Sequence, residues 1–122
     1  MKGGFRRRNQ KESPPAEGRQ HPRVFLELPI QYRFSGRAAR NGQTYNVSQG
    51  GVMVDIREKL EIGQGIELAI FFSLGPKVDT IKTDSRVVWV SDGDKKGTFR
   101  SGVKFTDVSA ADKTKINKIV EG

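Results

Sequence analysis

Val24-Phe25-Leu26-Glu27-Leu28-Pro29-Ile30-Gln31-Tyr32-Arg33-Phe34 places an apolar side chain at every even position. Phe25 aside, the positions between them hold charged, polar or proline residues. Alternation with a period of two sends successive side chains to opposite faces, so the stretch predicts a half-buried β-strand. Pro29 lies in the outward set and has no N–H to give a ladder, which predicts an edge or a bulge there. Ser35-Gly36 and Asn41-Gly42 read as turns on the far side of this strand.

The same pattern continues toward the C-terminus. Residues 43–48 and 52–56 read as short strands joined by a Gln49-Gly50-Gly51 bend. After Gly63-Gln64-Gly65, the side chains of Ile66, Leu68, Ile70, Phe72 and Leu74 alternate until Gly75-Pro76. Residues 78–81 and 86–90 are rich in β-branched residues and predict one or two strands. Residues 92–97 read as a loop, after which Phe99, Ser101, Val103 and Phe105 alternate again. The period then changes. Ser109 suits an N-cap, Asp112 stands three residues on, and Ile116, Ile119 and Val120 keep helical spacing. A short amphipathic helix is expected over about 109–120. Six or seven short strands with frequent turns predict an all-β barrel or sandwich, with the helix packed on one end or plugging it.

Toward the N-terminus the composition shifts. Residues 1–23 hold Lys2, Arg6, Arg7, Arg8, Lys11, Arg19 and Arg23 against Glu12 and Glu17, which is +5 of the chain's net +8. This stretch also contains Ser13-Pro14-Pro15-Ala16, and Phe5 is its one large apolar residue. So little apolar surface cannot offset the entropy of ordering. Residues 1–18 are therefore expected to form a flexible basic arm, and residues 19–122 a single folded domain. The charge excess points to an anionic partner.

Composition also excludes. The chain has no cysteine and one histidine, His21. Disulfides, thiolate chemistry and multi-His or Cys-based metal sites are thereby removed. No apolar run nears the roughly 18 residues of a membrane span, and the basic start lacks the apolar core of a signal peptide. A cytoplasmic protein without membrane insertion, metal or cofactor is expected. Carboxylates are scattered singly, a P-loop is absent, and Gly63-Gln64-Gly65 is followed by Leu68 where a GxGxxG pattern needs glycine. No catalytic residues and no enzymatic activity are expected.

Two polar constellations remain. Arg19 and Arg23 stand four apart where the arm meets the first strand, and a guanidinium offers a rigid fork for phosphate and a flat face for bases. In Asn46-Val47-Ser48-Gln49-Gly50-Gly51, Asn46 and Ser48 share a strand face while Val47 points to the core. Gly50 and Gly51 would permit a positive φ or a close approach of ligand to backbone. Taken in order, Arg19-xxx-Arg23 and Asn46-x-Ser48-x-x-Gly51 resemble the PilZ domain signature, RxxxR followed by [D/N]xSxxG. The segments Leu28-Pro29-Ile30-Gln31-Tyr32, Val87-Val88-Trp89-Val90 and Gly102-Val103-Lys104-Phe105 resemble strands of that family, so the likeness runs over about residues 19–120.

The resemblance implies a six-stranded antiparallel β-barrel with a C-terminal helix. It also implies binding of cyclic di-GMP, a bacterial second messenger. By position, Arg19 and Arg23 would grip phosphates and guanines, and Asn46, Ser48 and Gly51 would line the receiving surface. Gly50, Trp89 and Arg8 are further candidates, Trp89 either stacking on a guanine or packing in the core or at the barrel rim. Gly18 stands where members that take the ligand as a dimer tend to carry another arginine, and Arg6, Arg7 and Arg8 could supply that charge. Asn46 is the neutral choice where aspartate is commoner, which implies a weaker acceptor. The expected function is a monomeric receptor that orders its arm on binding and signals to a separate effector protein. Two alternatives stand beside it: a basic barrel that binds RNA or single-stranded DNA, and a protein-interaction module that binds no nucleotide. Oligonucleotide-binding surfaces usually expose several aromatics for stacking, whereas most aromatics here fall in core registers.

Overall fold

A computed structural model describes residues 23–121 apart from Ser35. The expected arm at residues 1–18, with Arg8, and the arginine at position 19 lie outside the described residues.

The opening alternating stretch forms two strands, β1 (Val24–Phe25) and β2 (Pro29–Arg33). Both run antiparallel to β3 (Arg40–Val47). Val24 faces Val47 and Phe25 faces Asn46, but Pro29 faces Gln43, so the register slips by one residue across 26–28. Thr44, fully buried, holds that gap. Its hydroxyl accepts from the Leu28 N–H at 2.8 Å and donates to the Leu26 carbonyl, while its own N–H donates to the Leu28 carbonyl at 2.9 Å. Pro29 is the first residue of β2, a place where a ladder tolerates proline.

Asn41-Gly42 is not a turn; it lies inside β3, with Gly42 opposite Ile30. A Cβ on Gly42 would stand 2.6 Å from Ile56 Cγ2 and 3.1 Å from the Asp55 carbonyl oxygen. Crowding between strands, not turn geometry, therefore calls for glycine there. The turn comes earlier, where Gly36 has φ 72° and the Arg37 N–H donates to the Phe34 carbonyl at 3.0 Å.

The remaining elements are β4 (Gly51–Ile56), β5 (Gly65–Leu74), β6 (Lys77–Asp92), β7 (Phe99–Val108) and α1 (Ala110–Glu121). Residues 78–81 and 86–90 belong to one strand of 16 residues, β6. It pairs with β5 along Lys77–Arg86 and with β7 along Thr83–Asp92. Between β5 and β6 lies the two-residue loop Gly75-Pro76. Gly75 has φ 64°, as the first central position of a type II′ hairpin requires. Every neighbouring pair is antiparallel, and β2 joins β5, β6, β7, β4 and β3 in turn before β3 returns to β2. The result is the expected six-stranded closed barrel, with β1 as an added strand on β3.

Ile30, Val47, Val54, Ile70 and Ile81 fill the barrel, and Ile116 of α1 joins them at 1% exposure. Burying one such side chain is worth about 1.5–3 kcal/mol. The helix begins as expected: the Asp112 N–H donates to the Ser109 hydroxyl at 3.1 Å. Asp112 does not complete a capping box, because its carboxylate accepts from the Lys82 N–H on β6 at 3.1 Å. Lys115 Nζ meets Asp79 at 3.0 Å and donates to the Thr80 carbonyl at 3.1 Å. The helix is thus tied to the first half of β6. Among the described residues, no helix is long and apolar enough to cross a membrane.

Candidate functional site

Besides an irregularity where β7 skips Thr106, two β-bulges shape the outer face of the barrel. On β3 the register to β4 skips Tyr45, and on β6 the register to β7 skips Val88. A bulge adds one residue to one strand and re-aims the side chain beside it. Val87 faces the core, Val88 is half exposed, and Val90 packs on the core again. Trp89 is thereby turned to the outside, where plain alternation would have sent it inward with Val87. On β3 the bulge places both Tyr45 and Asn46 between core-facing Thr44 and Val47.

These shifts align one row across five strands. Phe25 pairs with Asn46, Asn46 with Met53, Met53 with Gly102, and Gly102 with Trp89. Adjacent strands lie about 4.8 Å apart, so Asn46 and Trp89 are separated by roughly 14 Å of sheet. A Cβ on Gly102 would stand 3.4 Å from Trp89 Cβ and 3.6 Å from Cε3 of its ring, so the indole leans over this glycine. Phe25 is 68% exposed at the other end, with its ring edge-on to Tyr45 at 5.4 Å.

Arg23 enters immediately before β1. Its Nη1 donates to Asn46 Oδ1 at 3.1 Å, and the Asn46 Nδ2 in turn donates to Met53 Sδ at 3.5 Å. Ser48 and Gly51 flank the two-residue β3–β4 hairpin. The Ser48 N–H and hydroxyl both donate to the Gly51 carbonyl, at 2.9 and 3.2 Å. Neither Gly50 nor Gly51 has a positive φ. A Cβ on Gly51 would stand 2.2 Å from the Val103 carbonyl oxygen. The glycine that the sequence offers for ligand approach is thus demanded first by the backbone of β7. The Gly50 carbonyl accepts from the Phe105 N–H at 3.0 Å, which pins the hairpin to the same strand.

Two residue pairs along the strands, and so on the same face, Asp55 faces Arg100. Arg100 Nε meets Asp55 at 2.8 Å and Nη2 meets Asp94 at 3.0 Å, while the guanidinium carbon lies 3.6 Å from the centre of the Tyr45 ring. Burial works against its charge, but the two carboxylates hold its pKa above the ordinary arginine value. Gln43, Asp55, Asp94 and Arg100 line a groove of about 390 Å³ beside the row. On the other side, Lys104 stands opposite both Gly51 and Arg86 and is exposed. The face carries Lys104 on one flank, an Arg100 balanced by Asp55 and Asp94 on the other, and the Arg23 guanidinium, neutral acceptors, donors and an indole between them. Such a surface suits an anion with flat rings.

Of the residues singled out in the sequence, the structure brings Arg23 and Asn46 into contact, sets Ser48, Gly50 and Gly51 in the adjoining hairpin, and puts Trp89 on the row of Asn46. Arg19 and Arg8 lie outside the described residues. Met53, Gly102, Tyr45 and Arg100 were not singled out. A glycine opposite a tryptophan and a methionine between core valines are weak signals until the register is known.

A family model described as PilZ domain matches residues 17–122. The chain belongs to the PilZ domain family. Solved structures agree at the level of fold. This PilZ domain is similar to the Bacillus subtilis inhibitor of motility MotI/DgrA, with 21% identity, a TM-score of 0.74, and coverage of 88% of this chain and 55% of that one. It is also similar to the PilZ domain of Escherichia coli YcgR, solved with c-di-GMP, with 16% identity, a TM-score of 0.70, and coverage of 86% and 90%. A third is the K. pneumonia MrkH–c-di-GMP complex, with 17% identity, a TM-score of 0.62, and coverage of 84% and 50%. The chain spans about half the length of the first and third of these. No curated protein matches the sequence significantly.

Proposed function

We propose that this PilZ domain is a cyclic di-GMP receptor. The observation that carries the reading is the convergence of the Arg23 guanidinium on Asn46 Oδ1 at 3.1 Å, at the mouth of the Ser48–Gly51 hairpin. Two of its structural neighbours were solved with c-di-GMP, which supports the choice of anion. Asn46 Oδ1 would accept from the N–H groups of a guanine edge. Arg23, with Arg19, would donate in bidentate fashion to phosphate or to guanine O6 and N7. Trp89 would offer its face to a base and Lys104 its charge to a phosphate. The basic stretch before Arg23 would close over the ligand, and the altered surface would be read by a separate effector protein in the cytoplasm. The receptor would act as a monomer.

Calorimetry with cyclic di-GMP tests this. Charge-assisted hydrogen bonds contribute about 1.5–3 kcal/mol, so Arg23→Ala is expected to weaken binding by roughly 10- to 150-fold. No binding heat from folded wild-type protein, or unchanged affinity in Arg23→Ala, would overturn the reading.

A further inference from the structure

We infer that Met53 is a positioning residue which sets the base preference of this site by fixing the amide of Asn46. The inference rests on the cyclic di-GMP reading above. Met53 stands between core-facing Val52 and Val54 and therefore faces the opposite side of β4, directly across from Asn46. Both side chains are buried, at 4% and 2% exposure. The Asn46 amide is held at its two ends: Oδ1 receives Arg23 Nη1 at 3.1 Å, and Nδ2 donates to Met53 Sδ at 3.5 Å.

An amide has almost the same shape when turned over, so its partners alone decide which end faces out. A guanidinium only donates and a thioether only accepts. Turning the amide would set N–H against N–H at Arg23 and oxygen against sulfur lone pairs at Met53. A bound phosphate competes for Arg23, and the sulfur is then what keeps Nδ2 turned to β4 and Oδ1 on the side from which Arg23 and the ligand reach it. The Watson–Crick edge of guanine presents two donors, N1–H and the N2 amino group, and needs an acceptor. Adenine presents an acceptor at N1 beside the N6 amino donor. An amide whose oxygen is held toward the ligand accepts from both guanine donors but only from the N6 amino group of adenine, whereas a free amide could turn and also donate to adenine N1. Aspartate at position 46 would need no such hold, because both of its oxygens accept. Met53 thus gives a neutral asparagine the one-sided acceptor character that a carboxylate has by nature.

The test measures affinity of the full chain for cyclic di-GMP and cyclic di-AMP in a double-mutant cycle. Met53→Leu conserves volume and removes the acceptor. One neutral hydrogen bond corresponds to a loss of about threefold to tenfold for cyclic di-GMP, with a narrowed preference over cyclic di-AMP. In the Asn46→Asp background the same change is expected to shift affinity by less than about twofold. Met53→Gln, which keeps an acceptor in place, stays within about twofold of wild type. Equal losses from Met53→Leu in both backgrounds, or no loss in wild type, would overturn the inference. A wild-type protein that binds no cyclic di-GMP would instead remove the receptor reading. The amide orientation is then decided without ligand by nuclear Overhauser contacts between the Asn46 Nδ2 protons and the Met53 methyl. Their presence supports the hold and their absence refutes it.

Discussion

A methyl group at position 51 would stand 2.2 Å from the Val103 carbonyl oxygen, far inside contact distance. Gly51→Ala is therefore expected to force β4 and β7 apart and to lower stability by about 1–3 kcal/mol, read as a lowered urea midpoint. The spacing from Ser48 marks this glycine in the sequence, but its cause lies 52 residues away on β7, where no local pattern reaches. Asn46 shows the same division. Its polarity and its pairing with Arg23 are legible as chemistry. The orientation of its amide is not, because Met53 meets it only once the hairpin has closed. The seat of Arg100 on Tyr45 joins residues 55 apart and has no sequence signature at all.

Strands announce themselves more clearly than their irregularities do. Alternation locates β2, β5 and β7 because one face of each is buried and the other is wet. It fails at Tyr45, at Val88 and at Thr106, where one extra residue is absorbed without any Gly or Pro to mark it. Asn41-Gly42 misleads for the converse reason, since its glycine answers to Ile56 across the sheet. The helix is read correctly from Ser109 and the Ile116 spacing, and two predictions belong to it. Ser109→Ala removes the acceptor for the Asp112 N–H and is expected to cost about 1 kcal/mol in unfolding free energy. The second concerns acid. The Lys115 hydrogen bond and the Thr80 N–H hold the Asp79 carboxyl below its ordinary pKa. A folded pKa below the unfolded one gives stability that is present above about pH 4 and is lost as pH falls through the lower folded value. Lys115→Ala is expected to flatten that part of the profile, so that its urea midpoint changes less than that of wild type between pH 5 and pH 2.

For the whole molecule, charge and closure matter most. The sequence holds +5 of its +8 in residues 1–23, and the barrel sets the exposed Lys104 beside the Asn46 row. Barrel closure itself is only half legible: alternating strands imply a barrel or a sandwich, and nothing local says that β3 pairs on both sides. A ligand that binds the folded state stabilises it by mass action, by about 2.7 kcal/mol at a hundredfold excess over Kd. Cyclic di-GMP is therefore expected to raise the melting temperature, whereas single-stranded DNA at equal phosphate concentration is not. Protection by DNA that collapses steeply with salt would favour an oligonucleotide-binding barrel instead.

The long strand β6 has a further consequence. Its Thr80–Lys82 stretch anchors the helix, and its Trp89 faces the Asn46 row. Because side chains change face at every step, a one-residue insertion or deletion between these points would throw one of them out of phase. Val88 is the exception: without it, Val87, Trp89 and Val90 would still face in, out and in. Among relatives, changes of length are thus expected to collect in the loops at 57–64 and 93–98. Within β6 they are expected only at Val88, which makes this strand a ruler whose length is inherited almost unchanged.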